Sequence, residues 1–258
     1  MVSVEELLAY YPPKLYNYQK WILREYLQYL ILQTIFSNSY ANKLCFIWWT
    51  SLRIWYNSQR FSEDLDFDNW WLSEAEFEDI SKQVESMLIW EWFQVNISFI
   101  YKWAFHCIIK IPQLLYENNL WSMPTENLTI KIDTVSQWFE YESDKKIIQN
   151  FWLVFPLNIA SESTLLSMKL NAFFSRVKWR DIFDIVYLIW RVKSPNRDIL
   201  KQAQNISSPD ELHERILSRL NELDLNRLQQ DVKPFLFDPN NQSVILFPEI
   251  IKNTKFEF

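Results

Sequence analysis

The chain has 258 residues, enough for one large domain or two small ones, and hydrophobic residues make up 49% of it, enough for a sizeable core without covalent staples. A formal net charge of −6 argues against a broad non-specific nucleic-acid surface while leaving room for a local basic pocket. The two cysteines, Cys45 and Cys107, lie in apolar runs and read as reduced buried thiols, which suits the cytoplasm. No basic-then-apolar leader opens the chain, and no apolar run reaches the roughly 18 residues of a membrane span, so neither secretion nor membrane insertion is expected.

Residues 14–38 read as a long helix, 44–47 as a short buried strand and 50–56 as a helix start. Residues 64–68, Asp-Leu-Asp-Phe-Asp, alternate and predict a strand with carboxylates on one face. Ser73 and Glu76 form a capping box that opens an amphipathic helix over 73–89. Residues 93–101 and 104–111 read as a hairpin, 127–135 as another strand and 151–156 as a further short one. From Ser161 the pattern turns helical, in the segments 161–177, 180–192 and 209–223, and the tail from about 235 carries no clear pattern. The expectation is an α+β chain: a mixed-sheet domain over 1–158, then a helical domain over 159–258.

One count is abnormal. The chain has 14 Trp and no Gly, where about 7% glycine, roughly 18 residues, is ordinary usage. The tryptophans sit where glycine belongs, at the punctuation between elements: Trp48 and Trp49 after a strand, Trp70 and Trp71 before a helix cap, Trp103 in a hairpin, Trp152 before a strand, Trp179 between two helices. Both facts follow if the gene uses UGA for glycine and is read with a table that takes UGA as tryptophan.

With glycine at 48 and 49, the stretch FIWWTSLRIWYNSQRFSEDLDFD (46–68) becomes a glycine pair with a hydroxyl residue, Thr50, followed by two aspartates on the next strand. That pattern resembles the signature of the nucleotidyltransferase superfamily. The whole stretch, with RFSEDLDFD, is most similar to the AbiEii-type nucleotidyltransferase toxins. A second block, LLSMKLNAFFSRVKWRDIFDIVYL (165–188), resembles that family's helical Lys…Lys-Gly-Arg-Asp-x-x-Asp motif. The resemblance runs from about residue 17 to 195.

The chemistry explains the residue types. Transfer of a nucleotidyl group is an in-line displacement at the α-phosphorus, assisted by two divalent ions that stabilise the attacking and leaving oxygens. Carboxylates suit such ions because hard cations take oxygen ligands. The resemblance implies a polymerase-beta-like mixed sheet followed by a C-terminal helical bundle, and it assigns roles. Asp64, Asp66 and Asp133 hold two Mg²⁺ ions, Asp68 being the alternative third carboxylate. The turn at Trp48, Trp49 and Thr50, with Arg180, binds the NTP. Lys169 contacts the triphosphate, and Asp181 orients Lys169 or Arg180 or assists the acceptor. The reaction implied is NMP transfer to an acceptor hydroxyl, first of all a tRNA 3′ end, by the toxin of a toxin–antitoxin pair with an AbiEi-like antitoxin.

The plainer readings are definite too. An acidic strand end is commonly solvated or a weak calcium site, and a helix lysine commonly faces water. Arg176, Lys178, Arg180, Arg191, Lys193 and Arg197 make either a solvated helix face or a seat for a nucleotide or RNA end, while His106 and His213 lack metal-ligand spacing and read as structural. Two rival functions stand beside the first: a nucleotidyltransferase acting on a small molecule such as an aminoglycoside, and, if Trp48 and Trp49 are genuine, a catalytically dead binding or regulatory protein.

Overall fold

The computed structural model describes residues 3–176 and 178–258. In chain order the elements are α1 (Val4–Leu8), α2 (Gln19–Phe36), β1 (Leu44–Ile47), α3 (Trp48–Ile54), β2 (Leu65–Asn69), α4 (Glu74–Trp90), β3 (Asn96–Tyr101), β4 (Phe105–Ile111), α5 (Leu114–Glu117), β5 (Leu128–Thr134), β6 (Ser143–Asn150), β7 (Leu153–Ala160), α6 (Glu162–Ser175), α7 (Trp179–Ile189), α8 (Arg197–Gln204), α9 (Pro209–Leu220), α10 (Leu225–Val232) and α11 (Phe247–Lys252). They divide into two compact units. Unit 1 runs to Thr50 and resumes over Phe61–Gln137 and Asp144–Ile159; unit 2 takes Ser51–Arg60, Trp138–Ser143 and Ala160–Phe258.

Unit 1 carries a seven-stranded sheet in the order β3-β4-β5-β2-β1-β7-β6. β2 pairs parallel to β5 and antiparallel to β1, while β3, β4 and β5 are antiparallel neighbours. The alternation in β5 is complete: Leu128, Ile130, Ile132 and Thr134 are buried, and the residues between them are half-buried. Phe46 and Phe67 meet at a tilt on the buried face of β1 and β2 with centroids 5.4 Å apart, and Phe36 of α2 approaches Phe67 at 6.0 Å. α4 covers β4 through Phe77, whose ring centroid lies 5.7 Å from that of Phe105.

Helix α2 is buried almost all round, so its polar residues need partners. Tyr11 Oη donates to Glu25 at 2.8 Å, and Gln28 Nε2 donates to the Ser62 carbonyl at 3.1 Å, holding the segment that leads into β2. The helix starts later than residue 14 because prolines at 12 and 13 introduce a 3-10 turn over Pro13–Tyr18. α4 starts where its capping box says: Ser73 Oγ accepts from Glu76 N at 3.3 Å, and Ser73 N donates back to Glu76 at 2.9 Å.

Strand β6 was not foreseen. Its sequence, Ser-Asp-Lys-Lys-Ile-Ile-Gln-Asn, is polar because it forms a sheet edge, where charge blunts unwanted pairing. It also moves the next strand, expected at 151–156, to Leu153–Ala160. Phe151 and Trp152 both take positive φ, 48° and 64°, as a two-residue type I′ hairpin turn requires.

In unit 2, α6 packs on α7 and α8, and α10 and α11 pack on α7. The tail is also placed: Phe247 meets Phe173 of α6 with centroids 5.9 Å apart, and Leu236 forms an antiparallel bridge with Arg60. Next to that bridge Phe237 N donates to the Gln59 carbonyl at 3.1 Å, and the Arg53 guanidinium lies 4.7 Å from the Phe237 ring.

The backbone sets tryptophan apart from every other residue type. Ten described residues have positive φ, and five of them are Trp48, Trp71, Trp92, Trp138 and Trp152. Positive φ is disfavoured for bulky side chains and is glycine's province, with asparagine next. Trp92 ends α4 in a Schellman turn: its N–H donates to the Ile89 carbonyl at 3.0 Å, and Phe93 N donates to Leu88 at 3.0 Å. Asn119 ends α5 with the same bonds, Asn119 N to Tyr116 at 3.0 Å and Leu120 N to Leu115 at 2.8 Å. The rings gain nothing in return, since Trp71, Trp92 and Trp138 are 91%, 81% and 89% exposed. Trp103 is also exposed, in the β3–β4 turn, but without positive φ. The side chain of Trp179, which begins α7, lies outside the described residues, as does Val177.

Candidate active site

Strand β2 positions the acidic motif. Asp66 is the register partner of Asp133 on β5, so the two half-buried carboxylates leave adjacent strands on one face of the sheet. Asp64 stands immediately before β2, where its carbonyl is held by the Thr50 hydroxyl. That hydroxyl also meets Ser62 Oγ at 2.6 Å. Thr50 is fully buried, and its bonds tie the β1–α3 turn to the residues that carry the acids. Asp68, the alternative third carboxylate, is buried and committed: Oδ1 accepts from Gln137 N at 2.9 Å, and Oδ2 accepts from Trp70 Nε1 at 3.1 Å.

Asp133 has partners that its spacing did not reveal. His106, its register partner on β4, meets Oδ1 through Nδ1 at 2.7 Å, and Lys131 Nζ meets Oδ2 at 2.5 Å. His106 therefore stands in the row His106–Asp133–Asp66 across β4, β5 and β2. Register alone brings it there, and no local motif announces it. His213 Nε2 donates to the Ile251 carbonyl at 3.0 Å and serves to hold α9 to α11.

Among the described residues no three His, Cys, Asp or Glu side chains gather closely enough to enclose a metal ion. The donor set suits a cation that is completed by its substrate. Mg²⁺ is commonly bound by one or two carboxylates together with phosphate oxygens and water, and Asp64 and Asp66 supply hard oxygen donors of that kind. The clamp of His106 and Lys131 fixes the orientation of the neighbouring Asp133 carboxylate.

At the β1–α3 turn Trp48 takes φ 61°, and its ring stacks on that of Trp49 with centroids 6.1 Å apart. Trp49 is buried and Trp48 half-buried, so the indoles fill the space beside the turn.

Unit 2 contains a different arrangement. Lys169 of α6, Asp181 and Asp184 of α7, and Arg60 are all buried. Asp184 receives Arg60 Nε on Oδ1 at 2.9 Å and Arg60 Nη2 on Oδ2 at 2.8 Å, and Lys169 Nζ lies 2.7 Å from the same Oδ2. Asp181 Oδ1 is 3.9 Å from Lys169 Nζ, and its Oδ2 accepts from Lys178 N at 3.1 Å. Burial pushes the Lys169 ammonium down to about 8 against the pull of Asp184 and Asp181. Burial also raises Asp181 above the ordinary aspartate value, whereas at Asp184 Arg60 and Lys169 outweigh burial and hold the carboxyl below it. Arg180 sits half-buried beside Asp181 on α7. Arg191, on the basic stretch, pairs with Glu162. Arg60 and Asp184 were in view in the sequence only as members of the two motifs. Their mutual pairing, 124 residues apart, is invisible to local spacing.

A mixed sheet with carboxylates on β2, followed by helices with a buried lysine, is the arrangement to set beside known proteins, and the family it matches makes the chain a nucleotidyltransferase. Solved structures share the fold: JHP933 from Helicobacter pylori (TM-score 0.56, 18% identity, 90% of each chain) and a putative nucleotidyltransferase from H. pylori (0.52, 17%, 92% of this chain and 98% of that one). The nucleotidyltransferase toxin MenT4 from Mycobacterium tuberculosis H37Rv is similar too (0.54, 12%, 97% and 99%). Residues 50–239 match the family model of the nucleotidyl transferase AbiEii toxin of type IV toxin–antitoxin systems, and the chain belongs to that family. No curated protein matches it. Among the described residues no helix is long and apolar enough to cross a membrane.

Proposed function

We propose that this nucleotidyltransferase moves NMP from an NTP to an acceptor hydroxyl at a tRNA 3′ end, in the cytoplasm, as the toxin partner of an AbiEi-like antitoxin. The observation that carries the catalytic part is the register pairing of Asp66 with Asp133, beside Asp64, in a chain of the AbiEii family. The acceptor oxygen bonds to the α-phosphorus and its proton passes to solvent. The bond from the α-phosphorus to the bridging oxygen breaks, and pyrophosphate leaves with the electron pair. Asp64 and Asp66, with Asp133 as third ligand, would hold two Mg²⁺ ions, which would supply charge neutralisation at the attacking and leaving oxygens. Lys169 places a cation for the triphosphate, with Asp181 and Arg180 beside it.

The same reading assigns glycine to position 48, as to positions 71, 92, 138 and 152, in an organism that reads UGA as glycine; by the family pattern it assigns glycine to 49 as well. Positive φ at five tryptophans supports it. Without two indoles the β1–α3 turn is open for phosphate to approach the backbone beside Thr50.

The test uses peptide mass spectrometry of protein from its native source, then Mg²⁺-dependent transfer of labelled NMP from each NTP to total tRNA and to aminoglycosides. Glycine at 48 and 49, with label in tRNA that Asp64→Ala abolishes, is the expected result. Label only in the small molecules replaces the acceptor. Tryptophan at 48 and 49 with no transfer to any acceptor overturns the enzyme reading in favour of a binding role.

A further inference from the structure

The four buried ions of unit 2 pose an energetic question. Taking a charge out of water costs several kcal/mol, and buried ion clusters are commonly no more stabilising than apolar residues of the same volume. Stability alone does not account for Arg60, Lys169, Asp181 and Asp184 standing together, each no more than 2% exposed. What such a cluster does that leucines cannot is hold one ammonium at a fixed point.

We infer that Arg60 and Asp184 are positioning residues, with Arg60 gripping both oxygens of Asp184 so that Oδ2 holds the Lys169 ammonium in place for the triphosphate. The inference rests on the nucleotidyltransfer reading above and names the residues that make its lysine usable. The two-point grip at 2.9 and 2.8 Å removes rotation of the Asp184 carboxylate, as a single contact would not. Lys169 Nζ then meets an oxygen whose position is already set, at 2.7 Å. Arg60 is itself fixed through its backbone by the bridge to Leu236 and the neighbouring bond from Phe237 N to Gln59 at 3.1 Å. The chain of support thus runs from the C-terminal tail to Arg60, to Asp184, to Lys169. The other charged group facing the lysine is Asp181 at 3.9 Å.

Opposite charges around one lysine give the test its signs. Asp184 favours the ammonium, whereas Arg60 disfavours it. If the ammonium is the working form, transfer falls as pH rises through the lysine's value, and the two neighbours move that limb in opposite directions. Asp184→Asn is expected to shift the alkaline limb of kcat/KM down by about one pH unit or more, and Arg60→Gln to shift it up. Arg60→Lys keeps the charge but loses the fork, so kcat falls about tenfold with the limb in place. Titration of ATP binding across the same pH range, by calorimetry on the full chain, reads the lysine without turnover. Circular dichroism confirms that each variant is folded. Should Asp184→Asn fail to fold, the pair Arg60→Gln and Arg60→Lys still separates charge from geometry. Folded variants whose limb and ATP affinity match the wild type overturn this inference alone. A wild-type protein that neither binds ATP nor transfers NMP overturns it together with the function.

Discussion

The acidic row of unit 1 and the ion cluster of unit 2 handle charge in opposite ways. Asp66 and Asp133 are half-buried on a sheet face and held side by side by strand register, with Asp133 clamped by His106 and Lys131. Lys169, Asp181, Asp184 and Arg60 are buried together, with Asp184 paired to both cations and Asp181 Oδ1 3.9 Å from the Lys169 ammonium. The difference teaches where substitution is felt. A half-buried carboxylate at the sheet face can be removed with smaller loss of fold, because water can reach its place. A buried partner cannot, because its removal strands the opposite charge.

The largest expected effect is at the sheet face. Asp66→Ala lowers NMP transfer on the order of 10⁴-fold, about 5 kcal/mol of barrier, while the melting temperature stays within about two degrees. A fall in both would erase the contrast. Next comes the buried cluster: Arg60→Met leaves Asp184 without its grip and costs about 3–5 kcal/mol in urea denaturation. Lys169→Met sharpens the distinction: it ends transfer and takes a cation from Asp181 and Asp184, but the Arg60–Asp184 pair stays intact, so its cost in the same denaturation is smaller than that of Arg60→Met.

A pH prediction follows from the same lysine. Its folded value is depressed to about 8, so between there and the ordinary lysine value of 10.5 the unfolded chain binds more protons than the folded one. Over that window Lys169 makes stability rise with pH, and Lys169→Met flattens the rise in denaturation series. The smallest effect separates backbone from charge within unit 1. In protein made with the sequence as written, Trp92→Gly stabilises by about 1–3 kcal/mol, read by thermal melting, with transfer unchanged. Asn119→Gly, at the matching turn of α5, moves stability by only a few tenths of a kcal/mol.

Much of this was written locally in the chain. The Asp-Leu-Asp-Phe-Asp alternation, the Ser73–Glu76 box and the run Leu44–Ile47 each specify an element within a few residues, and each element formed close to its expected place. The family resemblance was legible on the same grounds, since residues 46–68 and 165–188 carry it in sequence order. What escaped was non-local. His106 reached Asp133 through the register of β4 on β5, and Arg60 reached Asp184 through tertiary packing. β6 escaped because an edge strand has no apolar face to declare it. Trp92 and Trp138 were not singled out as glycine positions, because neither sits in a turn signal that the neighbouring residues make plain.

The bridge between Arg60 and Leu236 has a consequence for synthesis. A ribosome delivers Arg60 early and Leu236 near the end, so the backbone support of the lysine is absent from a chain still emerging. The two segments of that bridge can meet only once Leu236 itself has left the exit tunnel, long after Arg60.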